Sequence, residues 1–500
     1  MRRPTKWAVP LGLAGIAGIV LRVWTYRATF GTPNGDEAVV GLMTRHITHG
    51  DVPVFYWGQA YGGSQEAVLT APLFVVAGSS WLALRVIPIL LSAVTALLVW
   101  RVGRRTIGEP AAAVAAALFW IWPPFVVFQL THQQGFYASN VFYCSLLLLL
   151  ALRVVEQPTR SRVGVFGLVS GLAFWQTAQI VPVLAGIIAW TIWKQPRSLR
   201  NLWVAAALAA LGALPWIVWN ANHHWESLAQ PSYGDKLHSL RLLASPVLPM
   251  MAGLRAPFSA ELLLPAPLTY LIYLSLIALF VYGAVKAGRT NASLLYVVTL
   301  VFPVIYVISP KTSWAVGTPR FISVLAPVLV LLLAQVARSY VPAVALLAVA
   351  LAVSVVTLQR MDDWFRSEPA HVTQAQGLGP RHAVQWVPRD LSPLVRTLDR
   401  LGLHDVYTDY WLAYRLDFDS KERITAVESN ASALMFERGQ AIPLDHGDVR
   451  RPQYERKVRR ARHGFVFYRQ TVDSVPYLGA LERHGYRRHA AGEYVVYAPR

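Results

Sequence analysis

The sequence is poor in cysteine and in charge, and both deficits narrow the class of protein. Cys144 is the only cysteine among the 500 residues, so no intramolecular disulfide can form. Charged residues make up 15% of the chain, hydrophobic residues make up 55%, and the mean hydropathy is +0.39. This composition excludes an ordinary soluble protein of this length. The 18 tryptophans and 21 tyrosines are typical of the aromatic belts that flank a bilayer.

Acidic residues are especially scarce in the first part of the chain. Only nine of the 27 acids precede residue 358, against 24 of the 46 basic residues, so most of the formal charge of +19 comes from that part. Much of the basic excess lies between apolar stretches, at 101–105, 160–162 and 194–200. Lysine and arginine accumulate in the cytoplasmic loops of membrane proteins. The charge therefore indicates membrane topology and argues against nucleic-acid binding.

Eleven apolar stretches precede residue 358, and several approach the roughly 20 residues that cross a bilayer as a helix. We predict a polytopic α-helical membrane protein whose first stretch is retained as a signal anchor, since no clear cleavage site follows it. The segment 163–193 has basic flanks, so we predict a hairpin of two short helices that turns near 176–179. The predicted spans are 7–24, 82–100, 111–128, 138–152, 163–177, 180–193, 202–219, 266–285, 293–309, 321–337 and 340–357.

Four loops are predicted on the outer side of the membrane. A cytoplasmic N-terminus puts every basic loop on the inner side, as the distribution of lysine and arginine requires. The outer loops are then 25–81, 129–137, 220–265 and 310–320. The two longest exceed simple connectors, and long loops in compact proteins are usually functional.

The chain after residue 357 loses the apolar composition and gains mixed charge. Its short apolar patches are typical of strands, and the stretches between them are typical of helices. The predicted strands lie at 406–407, 464–468 and 494–497, and the predicted helices at 391–401 and 477–484. We therefore predict a transmembrane domain of residues 1–357 and an extracytoplasmic α/β domain of residues 358–500.

The most informative feature is the acidic pair Asp36-Glu37, which follows a Gly-Thr-Pro-Asn-Gly turn just after the first apolar stretch. Both acids stand at the start of a predicted helix that runs to about Gly50. One interpretation is structural, because an acid at an N-cap or in a first turn stabilises a helix. The other is catalytic, with one carboxylate accepting a proton from an acceptor hydroxyl. The scarcity of acids and the position at the membrane surface favour the catalytic interpretation.

The same loop continues with aromatic and polar residues from Tyr56 to Glu66. Aromatic rings stack on sugar faces and amides bind sugar hydroxyls, so we expect Tyr61 and Glu66 to contact a sugar substrate. Helical sequence follows Glu66, which leaves a first-turn role open for this acid. His46 and His49 lie one helical turn apart, but three-residue spacing alone is a weak indication of a metal site.

In their order along the chain, three short motifs resemble the GT-C membrane glycosyltransferases. They are Gly-Asp36-Glu37-Ala, a Tyr-Gly-Gly-Ser-x-Glu run that ends at Glu66, and a later Thr-Pro-Arg320-Phe segment. The bacterial family related to protein mannosyltransferases and lipid A aminoarabinose transferases is the most similar kind. The resemblance covers residues 1–357. It implies an inverting transfer of a hexose or pentose from a polyprenyl-phosphate donor to an acceptor on the outer face of a bacterial plasma membrane.

The resemblance also implies roles for individual residues. Asp36 becomes the catalytic base, and Glu37 becomes its neighbour and partner. A lipid-phosphate donor needs positive charge at the outer surface, where Lys311 and Arg320 flank one short loop. A bidentate arginine suits a phosphate, although an arginine that snorkels at a helix end is an equal alternative for Arg320. The acceptor stays open between a lipid, a glycan and a protein.

The chain departs from the family in the second outer loop, where many relatives carry a second acid. Here the loop reads Gln-Leu-Thr-His132-Gln-Gln134-Gly and contains no carboxylate. Divalent cations take several oxygen ligands, so this loop puts a metal cofactor in doubt, and Mg²⁺ or Mn²⁺ stays an open question. His132 and Gln134 are candidates to hydrogen-bond the donor in place of that acid.

Two other functions stay open: a transporter or flippase for a lipid-linked saccharide, and a membrane scaffold whose tail binds a partner. Transporters usually carry ionisable groups near the bilayer midplane. The predicted spans here are nearly free of charge in their interiors, and the acids lie in outer loops. This distribution favours surface chemistry, and a scaffold does not account for the elaborate loop from Asp36 to Glu66.

Overall fold

In a computed structural model of the protein, a large helical part is followed by a small mixed β-sheet domain. The structure describes residues 6–228, 236–308, 318–367, 390–429, 433–437, 439–444, 449–469 and 472–500. The α-helices of these ranges are α1 (Ala8–Arg27), α2 (Gly35–Ile47), α3 (Gln65–Ala77), α4 (Trp81–Thr106), α5 (Glu109–Ile121), α6 (Pro124–Gln129), α7 (Tyr137–Glu156), α8 (Arg160–Gln176), α9 (Val181–Lys194), α10 (Leu202–Gly212), α11 (Leu214–Asn222), α12 (Lys236–Leu242), α13 (Leu248–Met251), α14 (Ala266–Ala287), α15 (Ser293–Ile308), α16 (Ala326–Ala334), α17 (Tyr340–Ser367), α18 (Ser392–Arg400), α19 (Tyr410–Asp419), α20 (Pro452–Arg460) and α21 (Leu478–Arg483). The strands are β1 (Asp405–Thr408), β2 (Thr425–Glu428), β3 (Leu434–Glu437), β4 (Gln440–Pro443), β5 (Gly464–Tyr468), β6 (Tyr486–Ala491) and β7 (Tyr494–Pro499).

A helix lies at each of the eleven predicted span positions, but many of these helices are short. In the ranges that the structure describes, five helices are long and apolar enough to cross a membrane, namely α1, α4, α7, α14 and α17. The bent pair of α10 and α11 adds a sixth if it counts as one span. The chain is thus a multi-pass membrane protein, and the predicted count of eleven full spans is not confirmed.

Prolines explain why several predicted spans are divided. Pro123 and Pro124 separate α5 from α6, because proline has no amide hydrogen to donate within a helix. Pro215 stands in the first turn of α11, where the chain bends by 64° from the preceding helix. The predicted hairpin divides in the same way, since α8 ends at Gln176 and α9 carries Pro182 in its first turn.

The long helices expose apolar surface that suits lipid. On α14, the side chains of Leu271, Leu274 and Tyr282 are each 62% exposed. An apolar face of this extent marks contact with a membrane or a partner. Helix α17 continues to Ser367, so the domain boundary predicted at residue 357 falls inside a helix.

The C-terminal part contains a five-stranded mixed sheet with the strand order β2-β1-β5-β7-β6. Strand β1 pairs in parallel with β2 and β5, whereas β7 pairs antiparallel with β5 and β6. Strands β3 and β4 form a separate antiparallel pair. The three predicted strands correspond to β1, β5 and β7, and the two predicted helices correspond to α18 and α21.

Helix α19 packs this sheet domain against α2, which lies in the segment 25–81 that was predicted to be the first outer loop. Phe418 of α19 lies so close to Gly41 of α2 that a Cβ on the glycine would stand 2.5 Å from the ring. Leu412 and Leu416 of α19 belong to the same buried apolar cluster as Leu42 of α2. The C-terminal domain therefore shares a hydrophobic core with the loop that carries the acidic pair.

Candidate active site

The acidic pair lies in the first turn of α2, but a different residue caps the helix. Asn34 is the N-cap residue, and its side-chain oxygen accepts a hydrogen bond from the backbone N–H of Glu37 at 3.0 Å. Asp36 is the second residue of the helix. The dipole of α2 favours both acids, but the N-cap interpretation of Asp36 loses its basis because Asn34 already has that role.

Glu37 is fully buried and is bound to Arg85 of α4. The guanidinium donates from Nε to Glu37 Oε1 at 2.8 Å and from Nη2 to Oε2 at 2.6 Å. The backbone N–H of Gln133, in the second outer loop, also donates to Oε1 at 2.9 Å. Burial acts to raise the pKa of Glu37, but the Arg85 charge and these hydrogen bonds outweigh it and lower the pKa below its ordinary value. Glu37 thus joins both outer loops to α4.

Asp36 is half-buried and contacts the C-terminal domain. The hydroxyl of Tyr410, the first residue of α19, donates a hydrogen bond to Asp36 Oδ1 at 2.6 Å. The hydroxyl of Tyr56 donates to the Asp36 carbonyl oxygen at 3.1 Å. The adjacent acids therefore differ sharply: one forms a buried ion pair, and the other is oriented by a phenol from the distant end of the chain.

The guanidinium of Arg450 lies near the rings of both Tyr410 and Tyr56. The central carbon of its guanidinium is 5.2 Å from the ring centroid of Tyr410 and 5.7 Å from that of Tyr56. When the Gln59 amide oxygen is turned toward it, Arg450 Nη1 donates to that oxygen at 2.8 Å. The Tyr61 hydroxyl donates to the same oxygen at 3.3 Å. The predicted sugar contact Tyr61 is thus linked to the surroundings of the acidic pair.

Tyr137, the first residue of α7, is near the acidic pair and the predicted donor contact Arg320. Its phenol is within electrostatic range of Asp36, Tyr61 and Arg320. Arg320 is half-buried just before a short helical turn that leads into α16. Lys311, the other predicted donor contact, lies outside the described residues. Three residues singled out from the sequence are therefore brought together around one tyrosine.

Glu66 is buried against the N-terminal turn of α7. Its Oε1 accepts hydrogen bonds from the Ser139 backbone N–H at 2.7 Å and from the Ser139 hydroxyl at 2.6 Å. A carboxylate at this position also satisfies the positive end of the helix dipole. The structure thus places Glu66 where it orders the helix that begins with Tyr137, whereas the sequence predicted a direct substrate contact.

The second outer loop lies next to Glu37. His132 is buried, and its Nδ1 is 2.8 Å from the Phe128 carbonyl oxygen, which can only accept. Burial and the Arg85 charge lower the pKa of His132 to about 4, so the ring is neutral at physiological pH. A neutral His132 contributes no positive charge toward a phosphate. Gln134 is half-buried in the same loop.

The residues present do not fit a divalent cation site. Among the residues that the structure describes, no three His, Cys, Asp or Glu side chains form a group that could hold a metal ion. His46 Nε2 is 2.7 Å from a carboxylate oxygen of Glu422 in the C-terminal domain. His49 Nδ1 instead contacts the Arg45 carbonyl oxygen at 2.9 Å, so the two histidines have separate partners.

A cavity of about 240 Å³ lies beside Tyr61. Aromatic side chains form much of its wall, including Phe55, Phe174, Trp175 and Trp216. Ligand pockets are typically lined in this way, with few polar groups. The cavity adjoins the predicted sugar-contacting run of the first outer loop.

Reasoning from the sequence missed Arg85, Tyr137, Tyr410 and Arg450. Arg85 had a recognisable signal, because a cation in the apolar sequence of α4 requires a partner and acids are scarce in this part of the chain. Tyr410 had no such signal, since its partner Asp36 is 374 residues away.

Comparisons with known proteins agree with this architecture. The family described as dolichyl-phosphate-mannose-protein mannosyltransferase matches residues 67–219. No curated protein matches the chain.

Solved structures resemble the chain over nearly its whole length. ArnT from Cupriavidus metallidurans in the apo state aligns with a TM-score of 0.63 at 15% identity, covering 99% of this chain and 98% of that chain. The same protein bound to undecaprenyl phosphate aligns with a TM-score of 0.60 at 14% identity over the same shares. The oligosaccharyltransferase AglB from Archaeoglobus fulgidus aligns with a TM-score of 0.48 at 13% identity, over 99% of this chain and 74% of that chain. The likeness to both ArnT structures shows that the chain has their fold, in agreement with the resemblance that the motifs carry.

Proposed function

We propose that the chain is an inverting glycosyltransferase that moves a sugar from a polyprenyl-phosphate donor to an acceptor hydroxyl on the outer face of a bacterial plasma membrane. The observation that carries this proposal is that Asp36 and Arg320 are both within electrostatic range of the Tyr137 phenol. A proton acceptor and a cation for the leaving phosphate are the two groups that the reaction needs. The fold shared with ArnT, which has been solved with undecaprenyl phosphate, supports a lipid-phosphate donor.

The transfer proceeds as a single displacement. The acceptor oxygen bonds to the anomeric carbon while the bond from that carbon to the phosphate oxygen breaks. The electron pair of the broken bond leaves with the polyprenyl phosphate, and Asp36 accepts the proton that the acceptor hydroxyl loses. Attack opposite the leaving group inverts the anomeric configuration.

The remaining predicted site residues divide into direct contacts and supports. Arg320 binds the donor phosphate through paired N–H groups. Tyr61 and the aromatic cavity beside it hold the sugar or the first isoprene units of the donor. Glu37 and Glu66 act by fixing the first turns of α2 and α7, which carry the base and Tyr137.

The acceptor is a lipid, a glycan or a protein that approaches from the side of the C-terminal domain. A flippase is not favoured, because the acids of the site, Asp36, Glu37 and Glu66, lie in the first turns of α2 and α3. Ionisable groups of a translocation pathway would lie along the middle of the long helices.

The test uses purified protein in lipid vesicles with labelled polyprenyl-phosphate sugars and a membrane lipid extract as acceptor. We expect release of polyprenyl phosphate and a product of inverted anomeric configuration, measured by chromatography and NMR. A product of retained configuration contradicts the single displacement. Movement of intact donor across the bilayer, with no release of polyprenyl phosphate, favours the flippase instead.

A further inference from the structure

The carboxyl end of strand β1 in the C-terminal sheet faces the membrane domain. Strand β1 pairs in parallel with β2 on one side and with β5 on the other. In open α/β sheets, ligands bind at the carboxyl ends of the strands where the strand order reverses in this way. Here the carboxyl end of β1 leads directly into Asp409 and Tyr410, and the Tyr410 hydroxyl meets Asp36.

The start of α19 is held closely against the start of α2. Asp409 caps α19 by accepting a hydrogen bond from the Trp411 backbone N–H at 2.9 Å. On the facing helix, a Cβ added to Gly35 would lie 3.2 Å from the Trp411 Cα atom. The absence of a side chain at Gly35 thus allows the two helices to approach until Tyr410 reaches Asp36.

Polar contacts fix the other end of the same interface. Arg45 of α2 donates to Glu422 at 3.2 Å, and His46 Nε2 is 2.7 Å from the same carboxylate. The Trp81 indole N–H of α4 donates to Asp419 at 2.8 Å. Together with the shared apolar core, these contacts hold α19 in one orientation on the membrane domain.

Tyr410 acts only as a donor toward Asp36 near neutral pH. Burial and the Asp36 charge raise the pKa of Tyr410 well above its ordinary value, so the phenol keeps its proton. A hydrogen bond donated to a carboxylate favours its ionised form. Within the described part of the chain, Tyr56, Tyr137 and Arg450 are further titratable or charged groups that act on Asp36.

We propose that Tyr410 is a positioning residue of the transfer reaction. Its hydroxyl holds the Asp36 carboxylate in the orientation in which it accepts the proton of the acceptor hydroxyl. The C-terminal domain is then a required part of the active site, and docking of α19 on α2 sets the orientation of the base. This inference rests on the proposed glycosyltransferase function.

The test compares Tyr410→Phe with wild type as the full chain in lipid vesicles. Loss of one hydrogen bond to a charged group should lower kcat roughly tenfold and leave the KM for the polyprenyl-phosphate sugar unchanged. A merely structural role of Tyr410 would instead change the KM or the free energy of unfolding, so both are measured beside kcat.

Tyr407→Phe is the matched control. Tyr407 is a fully buried phenol in β1 of the same domain, and its hydroxyl has no hydrogen-bond partner within the described ranges. We expect its kcat, KM and free energy of unfolding to match the wild type.

The inference is overturned if Tyr410→Phe keeps the wild-type kcat while Asp36→Asn is inactive. It is also overturned if Tyr410→Phe causes the same fractional loss in an Asp36→Asn background as in the wild type, because the two residues then act independently. Wild-type-like transfer by Asp36→Asn, or no transfer by the wild type, would instead refute the proposed function itself.

Discussion

Asp36 and Glu37 are adjacent in the sequence, yet replacing each carboxylate by an amide should change the stability of the protein to very different extents. The side chains of Glu37 and Arg85 are 0% and 1% exposed. Glu37→Gln leaves the guanidinium buried without its counter-charge, which costs about 3–5 kcal/mol in the free energy of unfolding. Asp36 is only half-buried, and asparagine can still accept the Tyr410 hydrogen bond. We expect a change below about 1 kcal/mol for Asp36→Asn.

The assay is denaturant-induced unfolding of the purified variants in detergent micelles, followed by tryptophan fluorescence. Glu37→Gln should unfold at a clearly lower denaturant concentration than the wild type, and Asp36→Asn should not. The double variant Glu37→Gln, Arg85→Met removes both charges and should recover most of the loss, because no unpaired charge remains. Wild-type stability of Glu37→Gln, or no recovery in the double variant, would refute the reasoning.

The same ion pair predicts a dependence of stability on pH. The pKa of Glu37 in the folded protein is lowered from its ordinary value of 4.5. The stabilisation is therefore fully present above the unfolded-state pKa, and it is lost as the pH falls through the lower folded-state pKa. The double variant Glu37→Gln, Arg85→Met has no such ion pair. It should therefore lose less of its free energy of unfolding than the wild type does as the pH falls.

Three other outcomes are expected. Arg320→Ala should raise the donor KM roughly ten- to hundredfold with a smaller effect on kcat, since a charged hydrogen-bonded contact contributes about 1.5–3 kcal/mol; an unchanged donor KM would remove Arg320 from the donor site. Transfer should persist in EDTA, because the described residues contain no group of metal ligands; loss that Mg²⁺ or Mn²⁺ restores would contradict this. In a Cys144→Ala background, an impermeant thiol reagent should label Glu493→Cys but not Arg200→Cys in intact spheroplasts; the reverse pattern would refute the proposed topology.

Local pattern was sufficient to predict much of the fold. Short apolar patches predicted β1, β5 and β7, and the basic flanks of segment 163–193 predicted the break between α8 and α9. The predicted count of full spans is not confirmed, because hydropathy does not register backbone breaks. Pro123 and Pro124 divide one apolar stretch, and Pro215 lies at the bend between α10 and α11.

The candidate site was only partly predictable because its decisive contacts are long-range. Short motifs located Asp36 and Arg320, but they could not separate Asp36 from Glu37. That separation depends on Arg85, which pairs with one acid across 48 positions, and on Tyr410, which binds the other across 374. Such partners follow from the packing of α4 and α19 on α2, and no local spacing encodes them.

The rate of sugar transfer by Asp36→Asn tests the central claim most directly. Asparagine keeps the shape of the side chain and accepts the Tyr410 hydrogen bond, but it cannot take a proton from the acceptor. The account predicts that transfer under single-turnover conditions falls by about 10²–10⁴-fold, while the protein stays folded and still binds the polyprenyl-phosphate sugar. Near-wild-type transfer by Asp36→Asn would contradict the account and remove this carboxylate from the mechanism.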